Sequence, residues 1–341
     1  MALGRDPVDA MRPGSVAVVS TADSQAPEPI LVEVTRSGFV ESVHRGSAVV
    51  IAPDGAVHTV MGDPARATFP RSANKAMQAV AMVGAGLDLP PSLLALAAAS
   101  HSGEALHLDG VRSILSSCGL RDDALGNANG LPLGRDALRA WYGEGRRSEP
   151  IAHNCSGKHS AMLATCVAAG WPIVGYLAVD HPLQALITNV IEDLAEERCD
   201  GIGIDGCGAP THRLSLVGLA RAHRTIALAN DDTPVGRVRS AMVAHPEMVG
   251  GSDRDVSMLM RATPGLLAKD GAEGVIVGAT ITGWACAVKL ADGAGRGRVP
   301  VLVALLAAAG VDMSSAIGAG LDREPVLGGS AVVGHTRAAI T

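Results

Sequence analysis

The sequence predicts an α+β protein whose sheet, mixed or antiparallel, is built from both ends of the chain around a helical middle. Strand-like runs lie in residues 30–63 and return at 274–290. Between them, from residue 71 to about 265, apolar residues recur at helical spacing and are separated by Gly- and Pro-bearing turns. We therefore expect a sheet packed against helices, with a site where the two parts meet.

The domain organisation follows from the same pattern. Residues 1–28 are rich in Pro, Ala and Asp and lack periodicity, so we interpret them as an N-terminal extension. Residues 29–341 then form one unit, with a sheet part at 29–70 and 266–341 and a helical part at 71–265.

Individual elements can be assigned in chain order. The runs 47–52 and 56–61 flank Pro53-Asp54-Gly55, which favours a β-turn, and further strands are predicted at 274–281 and 284–290. The predicted helices comprise 73–83, 93–99, 159–169, 183–197, 213–229, 255–261 and 299–309.

Composition limits the class of function. The net charge of −6 and the lack of a basic tract argue against nucleic acid, so a small-molecule substrate is expected. The longest apolar stretches fall short of the roughly 20 residues that a membrane span needs. Six cysteines in so long a chain, and an N-terminus unlike a secretory signal, predict a cytoplasmic protein with free thiols.

Lysine is scarce in this chain. Lys and Arg total 28, yet only four are lysines, at positions 75, 158, 269 and 289. Unlike Arg, Lys can lose its proton when it is buried or close to another cation. Each lysine is therefore a candidate for a catalytic or metal-binding role.

The segment Arg71-Ser72-Ala73-Asn74-Lys75 begins a predicted helix. Residues three apart share a helix face, so the amine of Lys75 can reach the hydroxyl of Ser72 and activate it as a nucleophile. The alternative is an N-cap serine beside a solvated lysine.

Three further segments carry candidate groups. Cys155 and Lys158 are one turn apart in Asn154-Cys155-Ser156-Gly157-Lys158-His159, and Cys207 could supply a second thiolate to a metal; the alternative is a helix cap with a buried cysteine. Ser100, in Ala99-Ser100-His101-Ser102, could line a site or lie in a polar turn. Lys269 precedes a strand-like run, either at a sheet edge or in an exposed turn.

The ordered set of motifs resembles the rhizobial-type L-asparaginases (L-asparaginase II). The resemblance runs from about residue 34 to 289 and also includes Val40-Glu41-Ser42-Val43-His44-Arg45, Asp205-Gly206-Cys207, His245-Pro246-Glu247 and Met258-Leu259-Met260. It implies a serine β-lactamase/glutaminase-like fold, a homodimer and hydrolysis of L-asparagine to L-aspartate and ammonia. One departure is Val256, where some members carry a cysteine.

The resemblance also implies residue roles. Ser72 would be the nucleophile and Lys75 its base, with Ser100 and Lys269 as a second Ser–Lys pair. Arg71 and Asp205 would lie near the substrate. One zinc ion per chain, not necessarily catalytic, would be held by three ligands: Cys155, Lys158 and Cys207.

Two other functions stay open at this point. A penicillin-interacting serine hydrolase shares the Ser-x-x-Lys layout, but the Ser-Asp-Asn and Lys-Thr-Gly motifs are absent as such. A non-catalytic zinc-bearing binding protein of the same fold would bind its ligand without turnover.

Overall fold

The computed structural model describes residues 27–340, so all but the last two residues of the predicted N-terminal extension lie outside the described residues. Within that range ten strands are present: β1 (Ile30–Arg36), β2 (Phe39–Ile51), β3 (Val57–Met61), β4 (Ile202–Ile204), β5 (Pro210–His212), β6 (Leu266–Asp270), β7 (Val275–Thr280), β8 (Ala285–Leu290), β9 (Arg323–Gly328) and β10 (Ala331–Ala338).

Eight of these strands form one antiparallel sheet. Its order is β6-β7-β8-β2-β1-β10-β9, and β3 also pairs with β2. The long strand β2 pairs with β1 through its first half and with β8 and β3 through its second half. The sheet is therefore assembled from both ends of the chain, as the sequence predicts, while β4 and β5 form a separate hairpin.

The helices of the described chain belong mainly to the middle of the sequence. They are α1 (Lys75–Gly84), α2 (Pro91–Ala97), α3 (Ala105–Ser117), α4 (Arg135–Gly143), α5 (Ser156–Ala168), α6 (Pro182–Ala195), α7 (Leu216–Leu228), α8 (Pro234–Ala244), α9 (Pro246–Val249), α10 (Asp255–Ala262), α11 (Arg298–Ala308) and α12 (Ser314–Gly318). Short 3₁₀ turns lie at Arg71–Asn74, Asp122–Ala124 and Pro150–Ala152.

Two helices cover the sheet and account for the burial of its strands β6, β7 and β8. Almost every side chain of β6, β7 and β8 is buried, which requires cover on both faces. Helix α7 packs on β2, β7 and β8, and α11 packs on β7, β8 and β10. Gly46 on β2 permits the close approach of β8, because a Cβ there would lie 2.2 Å from the carbonyl oxygen of Lys289.

Helix α1 is the centre of the helical part. Every residue from Lys75 to Val83 is buried, and the helix packs against α5, α6 and α8. Ala, Met and Val suit such a position because helices on all sides leave little room for larger side chains. Lys75 is the first residue of this helix, so its amine is buried between the helices and the sheet.

The α+β class and the helical middle are confirmed, with changes at several boundaries. The helix predicted at 213–229 begins at Leu216, because Ser215 caps it by accepting a hydrogen bond from the Gly218 N–H and residues 210–212 form β5. Lys269 lies within β6 rather than before a strand. Within residues 27–340, none of the helices combines the length and apolar character needed to cross a bilayer.

Candidate active site

Ser72 lies in the 3₁₀ turn that leads directly into α1. Arg71 has a φ of +55°, a left-handed conformation that is unusual for a residue with a side chain. Such conformations cost free energy and tend to occur at functional sites. The turn packs against β5, β6 and β7, so Ser72 lies where the helical part meets the sheet.

Gly271 allows this turn to approach the end of β6. A Cβ on Gly271 would lie 2.2 Å from the carbonyl oxygen of Pro70, well inside van der Waals contact. Glycine at this position therefore brings the backbone before Ser72 against the backbone after Lys269. The segment Lys269-Asp270-Gly271 thus contributes packing as well as an amine.

Lys75 is 1% exposed, and its amine points towards Ser100. Its Nζ donates hydrogen bonds to the Ala99 carbonyl oxygen and, at 3.1 Å, to the Oγ of Ser100. Within the described residues no hydrogen bond joins Lys75 to Ser72, whose half-buried hydroxyl has no side-chain hydrogen bond. The solvated-lysine interpretation of this motif is wrong.

Lys269 meets the same serine from the sheet side. It is fully buried, and its Nζ donates to Ser100 Oγ at 3.0 Å and to Asp270 Oδ1 at 2.7 Å. The other carboxylate oxygen of Asp270 accepts from Arg254 and, at 3.2 Å, from Arg298. Lys269 is therefore not an exposed turn lysine.

Burial and charge together lower the pKa of Lys269. Desolvation is the largest cause, Asp270 opposes it, and the positive charges of Lys75 and Arg254 add to the lowering, which brings the pKa to about 8. Roughly a tenth of this amine is then uncharged at pH 7, far more than for an ordinary lysine. The cations around Asp270 outweigh its own burial and hold the pKa of its carboxyl far below the usual range.

Arg71 and Asp205 form an ion pair next to Ser72. Arg71 Nε donates to Asp205 Oδ1 at 2.6 Å, and the N–H of Gly206 donates to the same oxygen at 2.8 Å. Burial raises the pKa of Asp205, but the charges of Lys158 and Arg71 outweigh it, so the net shift is downward. The pair is partly exposed and offers both a cation and an anion to a ligand.

Cys155, Lys158 and Cys207 form a second cluster, in which no side chain is more than 3% exposed. Lys158 Nζ lies 3.3 Å from the Sγ of Cys207. A hydrogen bond from Cys207 is the largest cause of the low pKa of Cys155, with Lys75 and Lys158 adding positive charge against the effect of burial. Burial lowers the pKa of Lys158, but both sulfurs outweigh it and the net shift is upward.

This cluster fits the donor set that zinc accepts. Two sulfurs, one with strong thiolate character, and an amine face one another in a closed environment, and thiolates are the ligands that zinc prefers. Within residues 27–340, no group of three or more His, Cys, Asp or Glu side chains could hold a metal ion, so a site here depends on the amine of Lys158. That amine must lose its proton before it can bind a metal.

Sequence motifs named the residues of the lysine–serine cluster and of the cysteine–lysine cluster, but not the arginines that position Asp270. The structure brings Ser100 and Lys269 together with Lys75, and Cys155 and Lys158 together with Cys207. The contact predicted between Lys75 and Ser72 is absent from the hydrogen bonds of residues 27–340, because the Lys75 amine turns to Ala99 and Ser100 instead. Arg254 and Arg298, which fix Asp270, were missed because Arg is common in this chain and neither residue lies in a recognisable motif.

The fold and site define a class of protein: an α+β protein in which two buried lysines, one from the helical part and one from the sheet, meet at one serine. The chain belongs to the L-asparaginase II family, whose model matches residues 32–338. It is thus an amidohydrolase by family, and the resemblance seen in the sequence is confirmed.

This chain is also similar to solved structures of low sequence identity. Among solved structures the chain resembles a β-lactamase from Mycobacterium bovis, at 17% identity and a TM-score of 0.42 over 73% of this chain and 88% of that chain. It also resembles a Bacillus glutaminase, at 12% identity and a TM-score of 0.33 over 72% of this chain and 83% of that chain. No curated protein matches it.

Proposed function

We propose that this protein hydrolyses L-asparagine to L-aspartate and ammonia through an acyl-enzyme on Ser72. The observation that carries the proposal is the convergence of Lys75 and Lys269 on the Oγ of Ser100. Lys75 is three residues after Ser72 and directly follows the turn that holds it. Family membership supports amide hydrolysis as the reaction.

A neutral amine is the first requirement of this chemistry. With a pKa of about 8, Lys269 loses its proton more readily than an ordinary lysine. The hydroxyl of Ser100 touches both amines and can pass a proton from Lys75 to Lys269. Lys75 then becomes the uncharged base that accepts the proton of Ser72.

The covalent steps balance with these groups alone and one water. Ser72 Oγ attacks the side-chain amide carbon, and its proton moves to Lys75. The C–N bond then breaks, and the nitrogen takes that proton and leaves as ammonia. Water attacks the Ser72 ester, the C–O bond to the enzyme breaks, and the serine hydroxyl re-forms with aspartate as the product.

Arg71 and Asp205 give the site a means of recognising an amino acid. We infer that the Arg71 guanidinium binds the substrate α-carboxylate and that Asp205 accepts from the α-ammonium group. Their hydrogen bond at 2.6 Å and the N–H of Gly206 hold the two charges in a fixed arrangement. A substrate with both charges at one carbon is favoured over a simple amide.

We propose further that Cys155, Lys158 and Cys207 hold one zinc ion. The closed sulfur and amine cluster supports this, and the ion would supply a fixed positive charge beside the substrate site. The steps above use only side chains and water, so the ion need not take part in bond making.

An ammonia-release assay with L-asparagine, L-glutamine and D-asparagine tests the proposed substrate. We expect the highest kcat/KM with L-asparagine and little release from D-asparagine, whose α-substituents exchange positions relative to Arg71 and Asp205. Turnover of nitrocefin without ammonia from asparagine would instead favour a penicillin-interacting hydrolase. Tight binding of asparagine with no turnover would favour a binding protein.

A further inference from the structure

His101 directly follows Ser100 in the connection between α2 and α3, and no step of the proposed chemistry uses it. Its side chain is fully buried, and each ring nitrogen has a hydrogen-bond partner. Its backbone N–H also donates, to the Asn154 carbonyl oxygen at 3.1 Å. A buried side chain that is satisfied at both nitrogens is held in one orientation, so the residue next to Ser100 has a defined position.

The hydrogen bonds around the ring determine which nitrogen of His101 carries the proton. Nε2 lies 2.9 Å from the Oγ of Ser156, whose single hydroxyl hydrogen is donated to the Ile151 carbonyl oxygen at 2.7 Å. The serine oxygen therefore accepts from Nε2–H. Nδ1 accepts the backbone N–H of Gly103 at 3.2 Å, so it carries no hydrogen. His101 is thus a neutral imidazole, and a second proton would cost it the contact with Gly103.

His107 fixes the plane of the His101 ring. The two imidazoles are stacked, with ring centroids 5.1 Å apart and planes at 15° to each other. His107 is itself held at both nitrogens, because its Nδ1 accepts the Glu104 N–H at 3.1 Å and its Nε2 donates to the Glu247 carbonyl oxygen at 2.9 Å. Two rings held in this way leave His101 little freedom to turn.

These contacts anchor the backbone on both sides of Ser100. The N–H of Ser100 donates to the Val249 carbonyl oxygen at 2.9 Å, and His101 is bound to the start of α5 through both its backbone and its ring. The two residues that it contacts there flank Cys155, so one histidine joins the lysine–serine cluster to the cysteine–lysine cluster. The Ser100 Oγ lies 3.1 and 3.0 Å from two lysine amines at once, an arrangement that a shift of this backbone would break.

We propose that His101 is a positioning residue, a neutral imidazole protonated on Nε2 that ties Ser100 to the start of α5 and so holds the Ser100 hydroxyl between the two lysine amines. A displacement of about 1 Å near a reacting centre can lower the rate by roughly 100-fold. The effect on turnover rests on the proposed function. The protonation of the ring and the placement of Ser100 do not.

Long-range ¹H–¹⁵N spectra of protein labelled with ¹⁵N-histidine test the protonation of the ring. The His101 signals are identified by their loss in His101→Gln, or by their shift in Ser156→Ala if the first variant does not fold. We expect a neutral ring with its hydrogen on Nε2 at pH 7. A charged ring, or one protonated on Nδ1, would contradict the hydrogen bonds to Ser156 and Gly103 and overturn the inference.

His101→Met and His101→Gln separate the hydrogen bond from packing, because the two new side chains are equally long and only Gln can donate to Ser156. We expect kcat with L-asparagine to fall about tenfold or more in His101→Met, with KM little changed, because Ser100 is not among the groups proposed to bind the substrate. His101→Gln should recover most of that loss. Equal kcat in the two variants would show that the donor has no role and that the inference is wrong.

Spectra of the lysine side chains report the placement of Ser100 without any turnover. The chain has only four lysines, so ¹³Cε-lysine spectra can follow Lys75 and Lys269 individually. We expect both signals to shift in His101→Met and to lie near their wild-type positions in His101→Gln. If His101→Met does not fold, Ser156→Ala removes the acceptor instead and should shift the same two signals. Unmoved lysine signals would mean that Ser100 does not depend on His101.

His181→Met is the matched control for these measurements. His181 is also buried, its Nδ1 accepts the N–H of Leu183 at 3.2 Å, and its Nε2 donates to the Pro172 carbonyl oxygen at 2.8 Å, but it caps α6. Its replacement should lower thermal stability and leave kcat and the lysine signals unchanged. If both Met variants lost stability alone, His101 would be a packing residue and the inference would be wrong.

The spectra also separate this inference from the proposed function. If the wild-type protein released no ammonia from L-asparagine, the proposed function would fail. The histidine and lysine spectra would then decide the role of His101 by themselves.

Discussion

Lys75 and Lys269 donate hydrogen bonds to the same oxygen, the Oγ of Ser100, at 3.1 and 3.0 Å. One lysine comes from the first buried helix and the other from the end strand of the sheet. The positive charge of Lys75 so close by helps burial to lower the pKa of Lys269. The contact between the helical part and the sheet thus contributes to the lowered pKa of Lys269 on which the proposed chemistry depends.

The dependence of kcat/KM on pH should reveal this lysine pair. Because the lowered pKa of Lys269 is about 8, activity should fall as pH drops below that value and the amine gains a proton. The apparent pKa belongs to the coupled pair rather than to one residue. We expect Lys269→Arg, which stays charged, to lose activity by about 100-fold or more. Its remaining kcat/KM should no longer show the fall on the acidic side that the Lys269 amine causes.

Lys289→Arg provides the control for that measurement. Lys289 is the lysine outside both clusters, and its Nζ donates to the Leu290 carbonyl oxygen. Its replacement should leave the profile unchanged. A Lys269→Arg enzyme with the wild-type profile would show that another group titrates.

Gly271→Ala should disturb the position of Ser72 without touching any candidate catalytic side chain. The added methyl group would meet the Pro70 carbonyl oxygen, so the turn before α1 must move. We expect kcat to fall by at least about tenfold, since small displacements of a reacting group have large effects on rate. Steady-state kinetics with L-asparagine measure this loss.

Gly143→Ala is the matched control, because an added Cβ there meets no atom within 4 Å and its φ is not positive. It should keep wild-type kcat and stability. If Gly271→Ala also kept wild-type kcat, the close approach of β6 to the turn would have no role in positioning Ser72.

Cys155→Ser should remove zinc from the purified protein. Its sulfur has the strongest thiolate character in the cluster, and an alcohol is a much poorer zinc ligand. Elemental analysis after gel filtration measures the zinc content. Cys166→Ser, which changes a buried cysteine of α5 outside the cluster, should keep the metal. Equal zinc in both variants would exclude Cys155 as a ligand.

Local patterns made much of this fold predictable. Alternation and turn residues identified β2, β3, β7 and β8, and the buried apolar spacing after Pro70 identified α1. Strands β9 and β10 were not predicted individually because their residues are largely exposed and give no clear apolar alternation. Helix α4 was missed for a similar reason, since Trp141 is its one buried residue.

The site was predictable where rare residue types marked it. Lysine scarcity singled out Lys75, Lys158 and Lys269, and all three proved buried. Contacts between distant segments left no such signal: the sequence cannot show that Arg254 meets Asp270 or that His159 meets Tyr176. These pairings depend on tertiary packing, which a local pattern does not encode.

The most direct measurement of the central claim is ammonia release from L-asparagine by Ser72→Ala. The Ser72 hydroxyl makes no hydrogen bond to another side chain in the described chain, so its loss should leave the thermal unfolding midpoint nearly unchanged; Ser113→Ala, an exposed serine on α3, is the control. We expect kcat to fall by at least about 1,000-fold. A folded Ser72→Ala enzyme with near wild-type turnover would contradict an acyl-enzyme on Ser72.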